Sequence, residues 1–583
     1  MMEPAAGAEG EQASRAREET EMGRRMRPIR AWKLPEAPPV PEGQAAVLEA
    51  ALDRALVRSL GALPALLPLC ERVGLRAIVN RRCYPEGDAP EDIDVGAVAL
   101  VLALNRLQAP EPLVHVEEWV GQSALGDLLG IDAGQCNDDR LARTLDTLLP
   151  HLDALWQDLV VAAITTFDVD LGALCYDLTS ISFCGAYAEA DLVRYGYSRD
   201  HRPDRKQIEL AATVTAAGGI PVDYRPLAGN VADRSTPVEQ LRRLQGLLAL
   251  LPPRPADQPC LVISDRAMLT EAALAAYAAS KLCYLGPLDP SVGHGAVRAL
   301  LAGVEAAELA AHPLPYRPQR ATDDPDWEAY CGVERPLLVR HPDPTQRPLA
   351  VRALVVWSPG KARLDRQQRE TYLRRLERAV TELAGKVGKR PYTTAAAVQQ
   401  RLVTLCKGHP ARHLLPLTLR GGPGTDEPLR LTWTRDEAAL AQAAALDGRY
   451  VLGTNDPHLD AAAMLVRAKW RDVPEKRFAL VKGPLAVRPV YVHKEERILG
   501  LVFCTMVALL LFALLELLLR RADLTLSGQQ FFAACAALAV VILRLHDGSS
   551  LQQITGLPPP LALLLQAQGW PAVTHYAQPA ARP

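Results

Sequence analysis

The amino-acid sequence predicts a mixed α/β protein with a helical region in front of a sheet-forming core. Up to residue 165, leucines recur at four-residue spacing, as from Leu48 to Leu60, and that spacing indicates amphipathic helices. From residue 168 onward, short runs rich in β-branched and aromatic residues alternate with helical patterns. This alternation is typical of a mixed α/β core.

Size, charge and cysteine usage limit the class of protein. A chain of 583 residues is too long for one hydrophobic core, which predicts about two to four domains. The net charge of −2 excludes coating of nucleic acid by bulk positive charge, so contact with DNA requires local basic patches. Eleven cysteines are scattered singly without a CxxC pair, which predicts reduced thiols in the cytoplasm. The charged N-terminus has no apolar stretch typical of a signal peptide.

The pattern along the chain divides it into segments. Gly218-Gly219 separates two strand-like runs and predicts a hairpin. Beyond the core, three strand-like runs surround a basic helical pattern at 361–390, and helical spacing returns from Asp460. The predicted segments are 1–45, 46–165, 166–290, 291–455, 456–560 and 561–583.

Two aspartates lie in or directly after predicted strands, at positions that indicate a functional role. Asp177 lies inside the first predicted core strand, where an uncompensated carboxylate costs several kcal/mol. Asp265 follows the apolar run "CLVIS", and the carboxyl ends of strands gather ligand-binding groups. Two adjacent carboxylates repel each other unless a divalent cation lies between them, and Mg²⁺ prefers oxygen ligands. The alternative for each residue is an ordinary turn or helix-capping role.

A third acid lies between two bases in "WRDVPEKRFALVK". On one ideal helix, Arg471, Glu475 and Lys482 fall within about 40° of each other. Glu475 could then complete a metal site while the two bases hold DNA phosphates. The alternative is a surface ion pair worth only a few tenths of a kcal/mol.

These segments together resemble the DDE transposases of bacterial insertion sequences, in the branch with a Tyr-(2)-Arg-(3)-Glu-(6)-Lys signature. Arg471, Glu475 and Lys482 have that spacing, and Phe478 stands where the family usually has an aromatic residue. The stretch 195–236 resembles the family's sequence between the first and second acids. "SDRAML" resembles its second-acid motif.

The resemblance implies an RNase H-like catalytic core interrupted by a largely β insertion domain and preceded by a helical N-terminal domain. The implied parts are a disordered tail and linker (1–45), a helical domain that binds DNA ends (46–165), the first part of the core (166–290), the insertion (291–455), the second part of the core (456–560) and a C-terminal tail (561–583).

The resemblance also implies the chemistry. Asp177, Asp265 and Glu475 would hold two Mg²⁺ ions, with Mn²⁺ as a substitute. The enzyme would nick DNA at transposon ends, and the freed 3′-hydroxyl would then attack target DNA. The implied partners are terminal inverted repeats, target DNA and a second copy of the chain, in a bacterial cytoplasm close to the nucleoid and without a membrane. The expected DNA contacts are Arg471, Lys482, His201, Arg202, Arg205 and Lys206.

Three departures from the family pattern support an alternative, a catalytically inactive DNA-binding descendant. Ala468 stands at the signature's tyrosine position, and Ala267 replaces a common glycine. Pro474 directly precedes Glu475 and would break a helix interior, although the first turn of a restarted helix tolerates it.

The apolar run from Ile498 to Leu515 has eighteen uncharged residues, which is close to the length of a membrane span. A membrane-anchored protein is therefore a further alternative. A helix buried among other helices has the same composition, and we expect burial.

Overall fold

The computed structural model describes residues 55–87, 90, 92–255, 258–316, 330–422, 427–485, 492–544 and 550–577. The chain forms two units, one of residues 1–56 with 542–551 and a larger one of residues 57–541 with 552–583. In the smaller unit the described residues are short stretches at 55–56, 542–544 and 550–551. The tail predicted at 1–45 lies outside the described residues.

The described helices and strands confirm a mixed α/β protein. The helices are α1 (Leu63–Val73), α2 (Leu75–Cys83), α3 (Val95–Gln108), α4 (Leu113–Gln122), α5 (Leu125–Leu129), α6 (Asp138–Leu148), α7 (Leu152–Phe167), α8 (Pro237–Ala249), α9 (Glu271–Ala278), α10 (Ala296–Gly303), α11 (Ala306–Ala310), α12 (Pro359–Ala384), α13 (Ala395–Cys406), α14 (Glu437–Ala445), α15 (Ala461–Ala468), α16 (Asp472–Lys482), α17 (Glu495–Arg521), α18 (Gly528–Cys535) and α19 (Pro559–Gln568). The strands are β1 (Leu56–Ser59), β2 (Ala173–Ser182), β3 (Gln207–Thr215), β4 (Pro221–Ala228), β5 (Leu261–Ser264), β6 (Cys283–Pro287), β7 (Pro313–Leu314), β8 (Tyr330–Val339), β9 (Leu349–Trp357), β10 (Leu417–Arg420), β11 (Arg430–Trp433), β12 (Arg449–Thr454), β13 (Ala539–Arg544) and β14 (Ser550–Thr555).

Leu48 and Leu52 of the predicted leucine spacing lie outside the described residues. Among the described residues, Leu56 lies in β1 and Leu60 precedes helix α1. Gly61 adopts a φ of 52°, a left-handed conformation that a helix interior does not accept. The chain therefore turns here, and α1 to α7 follow as a helical domain. In α3, the side chain of Asp94 caps the helix by accepting from the Ala97 amide at 2.7 Å.

A nine-stranded mixed sheet forms the core of the larger unit, in the order β4-β3-β2-β5-β6-β12-β9-β8-β7. Strands β2, β3 and β4, which come first along the chain in this sheet, form an antiparallel meander. Next to it, β5 and β6 run parallel to β2. The predicted hairpin is confirmed, because Gly218 and Gly219 connect β3 to β4 with φ values of 93° and 62°.

Residues 291–455, predicted as a largely β insertion domain, contain both strands and helices. Strands β7, β8, β9 and β12 extend the central sheet beyond β6. Helices α12 and α13 pack with the β10–β11 hairpin into a second apolar cluster around Leu376 and Leu431. The predicted basic helix is present as α12, but α13 and α14 consist of short Ala- and Gln-rich stretches that lack a strong apolar stripe. The composition of the segment therefore predicted α12 but not α13 and α14.

The apolar run lies in α17, a helix long and apolar enough to cross a membrane by length and composition. Within its most apolar window, 94% of the residues are buried by the protein itself. Gly500 allows close approach to α6, because an added Cβ would lie 3.0 Å from the Leu145 Cβ. Burial among other helices, as expected, accounts for an apolar surface on all sides of this helix.

Candidate active site

Asp177 lies within β2, and Asp265 directly follows the neighbouring parallel strand β5 at the same level. The register of β2 and β5 pairs Tyr176 with Ser264, and each aspartate is the next residue in its strand direction. Asp177 is half-buried, whereas Asp265 is exposed at the start of the 3₁₀ turn Arg266–Met268. Strand pairing thus places the first two predicted acids side by side.

The alternative role of Asp265 as a helix cap finds no support. Its side chain makes no capping hydrogen bond in the turn that it precedes. Instead, its Oδ1 lies 3.3 Å from Nη1 of Arg471. The Ala267 departure is harmless, because the residue lies inside this 3₁₀ turn and does not have a positive φ.

Glu475 reaches the same region on a helix that restarts. Helix α15 ends at Ala468, the 3₁₀ turn Lys469–Arg471 follows, and α16 begins at Asp472. Pro474 therefore lies in the first turn of α16, where its missing N–H leaves no intrahelical hydrogen bond unmade. Arg471 lies before the helix, so the common stripe predicted from the sequence includes Glu475 and Lys482 alone.

Three tethers hold α16 and its preceding turn against the sheet. The Cys175 thiol donates to the Trp470 carbonyl oxygen at 3.3 Å. Cys175 lies two residues before Asp177 in β2. Arg477 is 7% exposed, and its Nε donates to the Gly219 carbonyl oxygen at 3.0 Å. The same guanidinium donates to the Gly218 carbonyl oxygen and forms a 2.7 Å ion pair with Glu516 of α17.

The third tether is Lys482, whose ammonium lies 2.8 Å from Oδ1 of Asp200. Both side chains are largely buried, at 14% and 21% exposure. Because this ammonium already has a carboxylate partner, it is not freely available to DNA. The sequence predicted Lys482 as a DNA contact, and its observed contact is with Asp200.

The three predicted acids affect one another electrostatically. Burial, together with the charges of Asp265 and Glu475, raises the pKa of Asp177 to about 7. The Leu178 amide and the Arg199 charge act in the opposite direction. In the described part of the chain, no cation lies within ion-pair distance of Asp177 or Glu475, so their charges are not neutralised by direct contact.

The acids are neighbours without forming a preformed metal-binding cluster. Among the described residues, no three His, Cys, Asp or Glu side chains are grouped closely enough to hold a metal ion. Glu475 and Asp265 are both exposed and can change rotamer, but Asp265 must separate from Arg471 to join the other two. The oxygen donors nevertheless suit a hard divalent cation, which would compensate the half-buried Asp177.

In the predicted basic loop ahead of β3, two of the four predicted DNA-binding side chains bind other atoms of the protein. Arg202 pairs with Asp204 at 2.6 Å, and the Lys206 ammonium donates to the carbonyl oxygens of Ala186 and Tyr187 at 2.6 and 3.0 Å. His201 is exposed and has a φ of 55°, and Arg205 is half-buried. Asp200, directly before the loop, pairs with Lys482 of α16, but half of the loop's predicted DNA contacts bind protein atoms.

The sequence patterns did not predict a charge network that lies near the site. Arg199 forms ion pairs with Glu209 of β3 and, at 2.6 Å, with Asp233. Glu209 also accepts from Nε2 of Gln207 at 2.9 Å. The available signal was Glu209 in an apolar strand, the same signal that identified Asp177.

Comparisons with known proteins cover the chain unevenly. Residues 56–161 match a family model described as a domain of unknown function, DUF4277, which includes most of the helical domain and none of the three acids. No curated protein matches the chain. Among solved structures, a cryo-EM structure of a piggyBac transposase synaptic complex with hairpin DNA is similar over 81% of this chain and 79% of that chain, with 8% identity and a TM-score of 0.37.

Proposed function

We propose that the chain is a DDE transposase, with an RNase H-like core that cleaves DNA at transposon ends and joins the freed 3′-hydroxyl to target DNA. The observation that carries the proposal is the convergence of Asp177, Asp265 and Glu475. Asp177 lies in β2, and Asp265 directly follows the adjacent parallel strand β5. Burial, together with the charges of the other two acids, raises the pKa of Asp177. Three carboxylates near one another, one of them half-buried without a counterion, favour a divalent cation.

The arrangement of strands agrees with this proposal. In this sheet the antiparallel meander of β2, β3 and β4 is followed by the parallel strands β5 and β6. Asp177 lies in β2, and Asp265 directly follows β5. An RNase H-like core is expected to have this order of strands and acids. Strands β7, β8, β9 and β12 would then be part of the insertion that separates the second acid from the third.

Asp177, Asp265 and Glu475 would hold Mg²⁺, or Mn²⁺ in its place. When bound, such ions activate an attacking oxygen and stabilise the leaving oxygen in phosphodiester cleavage. The protein's own contribution is to orient these carboxylates and to bind the DNA backbone. Binding of a cation by Asp265 would release Arg471 from its ion pair, and the freed guanidinium would then contact a phosphate.

The remaining DNA contacts are proposed by the same resemblance. His201 and Arg205 extend the basic surface beside the acids, and the helical domain would recognise the terminal inverted repeats. Synapsis of two transposon ends would require two copies of the chain, in the bacterial cytoplasm close to the nucleoid.

A nicking assay on DNA carrying the inverted repeats that flank the gene tests the proposal. The wild-type protein should cleave at the repeat ends when Mg²⁺ is present. Asp177→Ala and Glu475→Ala should each reduce cleavage by at least about a thousandfold, since each removes a metal ligand. Cleavage that survives either substitution would overturn the assignment of the site.

The same assay separates the second candidate, a catalytically inactive DNA-binding descendant. Ala468 favours that candidate, because the phenol of the family signature is missing there. Pro474 no longer favours it, because the helix restart places this residue in the first turn. End cleavage by the wild-type protein would exclude the inactive descendant.

A further inference from the structure

A cavity of about 570 Å³ opens beside Asp265 and does not contain Asp177 or Glu475. Its walls come from the end of β6, from β12, from the first turn of α12 and from the turn that precedes α16. Pro287, Leu288 and Leu301 provide its apolar surface. The cavity therefore shares Asp265 and Arg471 with the candidate active site, while the other two acids do not line it.

The charges in the cavity wall are strongly unbalanced. Its charged side chains are Asp265, Arg266, Lys361, Arg449, Lys469 and Arg471. Five cations and a single carboxylate facing a partly enclosed space, between low-dielectric walls, concentrate positive potential in that space. The chemistry of the wall thus selects an anion.

Most of these cations already have partners in the protein. Arg266 lies 3.4 Å from Asp289, the Lys361 ammonium lies 2.7 Å from an oxygen of Asp365, and Arg449 donates to the Leu301 carbonyl oxygen at 3.0 Å. These contacts stabilise the cavity wall. They also leave these three groups less able to bind a ligand.

Lys469 differs from the other cations. Its ammonium lies 4.9 Å from the ring centroid of Tyr330 and 5.5 Å from that of Tyr316. In the described part of the chain, no carboxylate lies within ion-pair distance of it. The same ammonium donates to the Tyr330 hydroxyl at 3.4 Å. Aromatic faces attract a cation but do not neutralise its charge, so the contacts of Lys469 do not include an anionic partner among the described residues.

A buried hydroxyl without a hydrogen-bond partner among the described residues lies in the same wall. The hydroxyl of Tyr450 is enclosed and has no hydrogen-bond partner, whereas buried polar groups almost always have one. An oxygen of a bound anion is an acceptor of the kind that this hydroxyl lacks.

We propose that this cavity binds a phosphodiester of the DNA strand near the bond that is cut, with Lys469 as its principal contact and Tyr450 as a second donor. The inference rests on the proposed function and deepens it. Asp265 shares the wall, and successive nucleotides of one strand are spaced by about 3.4 Å along the helix axis. The bound phosphate therefore lies within a few nucleotides of the reacting one, and Lys469 is a positioning residue for the substrate strand.

The test measures DNA binding by the full-length protein in EDTA, with a duplex oligonucleotide of arbitrary sequence, over a series of salt concentrations. Lys469→Gln should weaken binding by about five- to tenfold and reduce the slope of log K against log salt by about one, as expected for one lost phosphate contact. Lys469→Arg should retain the affinity. Lys407→Gln, an exposed lysine after α13, should bind like the wild type, and Tyr450→Phe should weaken binding without changing the slope.

Other outcomes overturn specific parts of the account. Wild-type affinity and slope in a folded Lys469→Gln variant would refute the cavity proposal while leaving the proposed function intact. Thermal stabilisation of the wild type, but not of Lys469→Gln, by sodium phosphate, together with equal DNA affinities, would show that the cavity binds free phosphate instead of DNA. A wild-type protein that binds no DNA at any salt concentration would refute the proposed function itself.

Discussion

Asp177 and Asp265 are positioned by the backbone hydrogen bonds of two adjacent strands, whereas Glu475 is positioned by side chains that tether a helix. The strand register fixes the first pair through continuous pairing of β2 with β5. Glu475 depends on the contacts of neighbouring residues, above all those of Arg477 and Lys482. The first arrangement resists single substitutions, but the second has a few contacts whose loss should move one acid away from the other two.

The largest expected effect of breaking a tether follows Arg477→Met. The substitution leaves the Glu516 carboxylate, which is 16% exposed, without its cation, and it leaves the Gly218 and Gly219 carbonyl oxygens without a donor. We expect the free energy of unfolding, measured by chemical denaturation, to fall by about 3–5 kcal/mol.

The matched control is the double variant Arg477→Met/Glu516→Met, which removes both charges and should recover part of that loss. A loss below about 1 kcal/mol in the single variant, as expected for a surface pair, would show that Arg477 is not a structural tether.

The turn that accepts Arg477 should be the next most sensitive position. Gly219 has a φ of 62°, and an added Cβ would lie 2.5 Å from Nε of Arg477. Gly219→Ala should cost about 2 kcal/mol, from backbone strain and from displacement of the guanidinium. Gly246→Ala is the control: it lies in α8 with no atom within 4 Å of the added Cβ, and it should stabilise the protein by up to about 1 kcal/mol. Equal effects of the two substitutions would contradict a role for the turn in holding α16.

The Lys482 pair should have a smaller effect on stability, and it distinguishes two roles. Lys482→Gln and Asp200→Asn should each cost about 1–2 kcal/mol, between the values for exposed and buried pairs. If Lys482 is a tether, Lys482→Gln leaves the salt dependence of DNA binding unchanged. If the ammonium instead binds a DNA phosphate, as the family resemblance implies, the slope decreases by about one.

The smallest expected effect comes from a pair within the helical domain, away from all three acids. Arg82 binds Asp158 through two hydrogen bonds of 2.7 and 2.8 Å, and these lower the pKa of Asp158. A lowered carboxylate pKa stabilises the fold above the ordinary value of about 3.9, and this stabilisation is lost as the pH falls through the lowered pKa. Arg82→Gln should therefore cost up to about 1 kcal/mol at neutral pH and progressively less on acidification. A pH-independent loss would mean that packing of the arginine, and not its charge, is responsible.

The same contrast explains what could be predicted from the sequence. Local patterns identified the Gly218-Gly219 hairpin, helix α12 and the strands that bear Asp177 and Asp265, because turn chemistry and apolar runs act over a few residues. The restart of the helix at Asp472 was one of two alternatives raised by Pro474, and tertiary contacts decided between them. The tether from Arg477 to Glu516 joins residues on separate helices, so no local spacing reveals it.

The extent of the sheet was also beyond local patterns. The runs 335–341 and 349–358 were predicted as strands from composition and overlap β8 and β9. The addition of these strands to the central sheet depends on the pairing of β12 with both β6 and β9. Lys482 and Lys206 were predicted as DNA contacts from the family resemblance. Their observed partners, Asp200 and two backbone carbonyl groups, depend on loop geometry that a sequence pattern does not contain.

The most direct test of the central claim is Mn²⁺ binding measured by electron paramagnetic resonance, on the wild type and on Asp177→Asn, Asp265→Asn and Glu475→Gln. The wild type should bind Mn²⁺, and each folded variant should lose at least about tenfold in affinity, because one site needs all three carboxylates. Wild-type Mn²⁺ affinity in Glu475→Gln would contradict the account, since it would place the helix-borne acid outside the metal site.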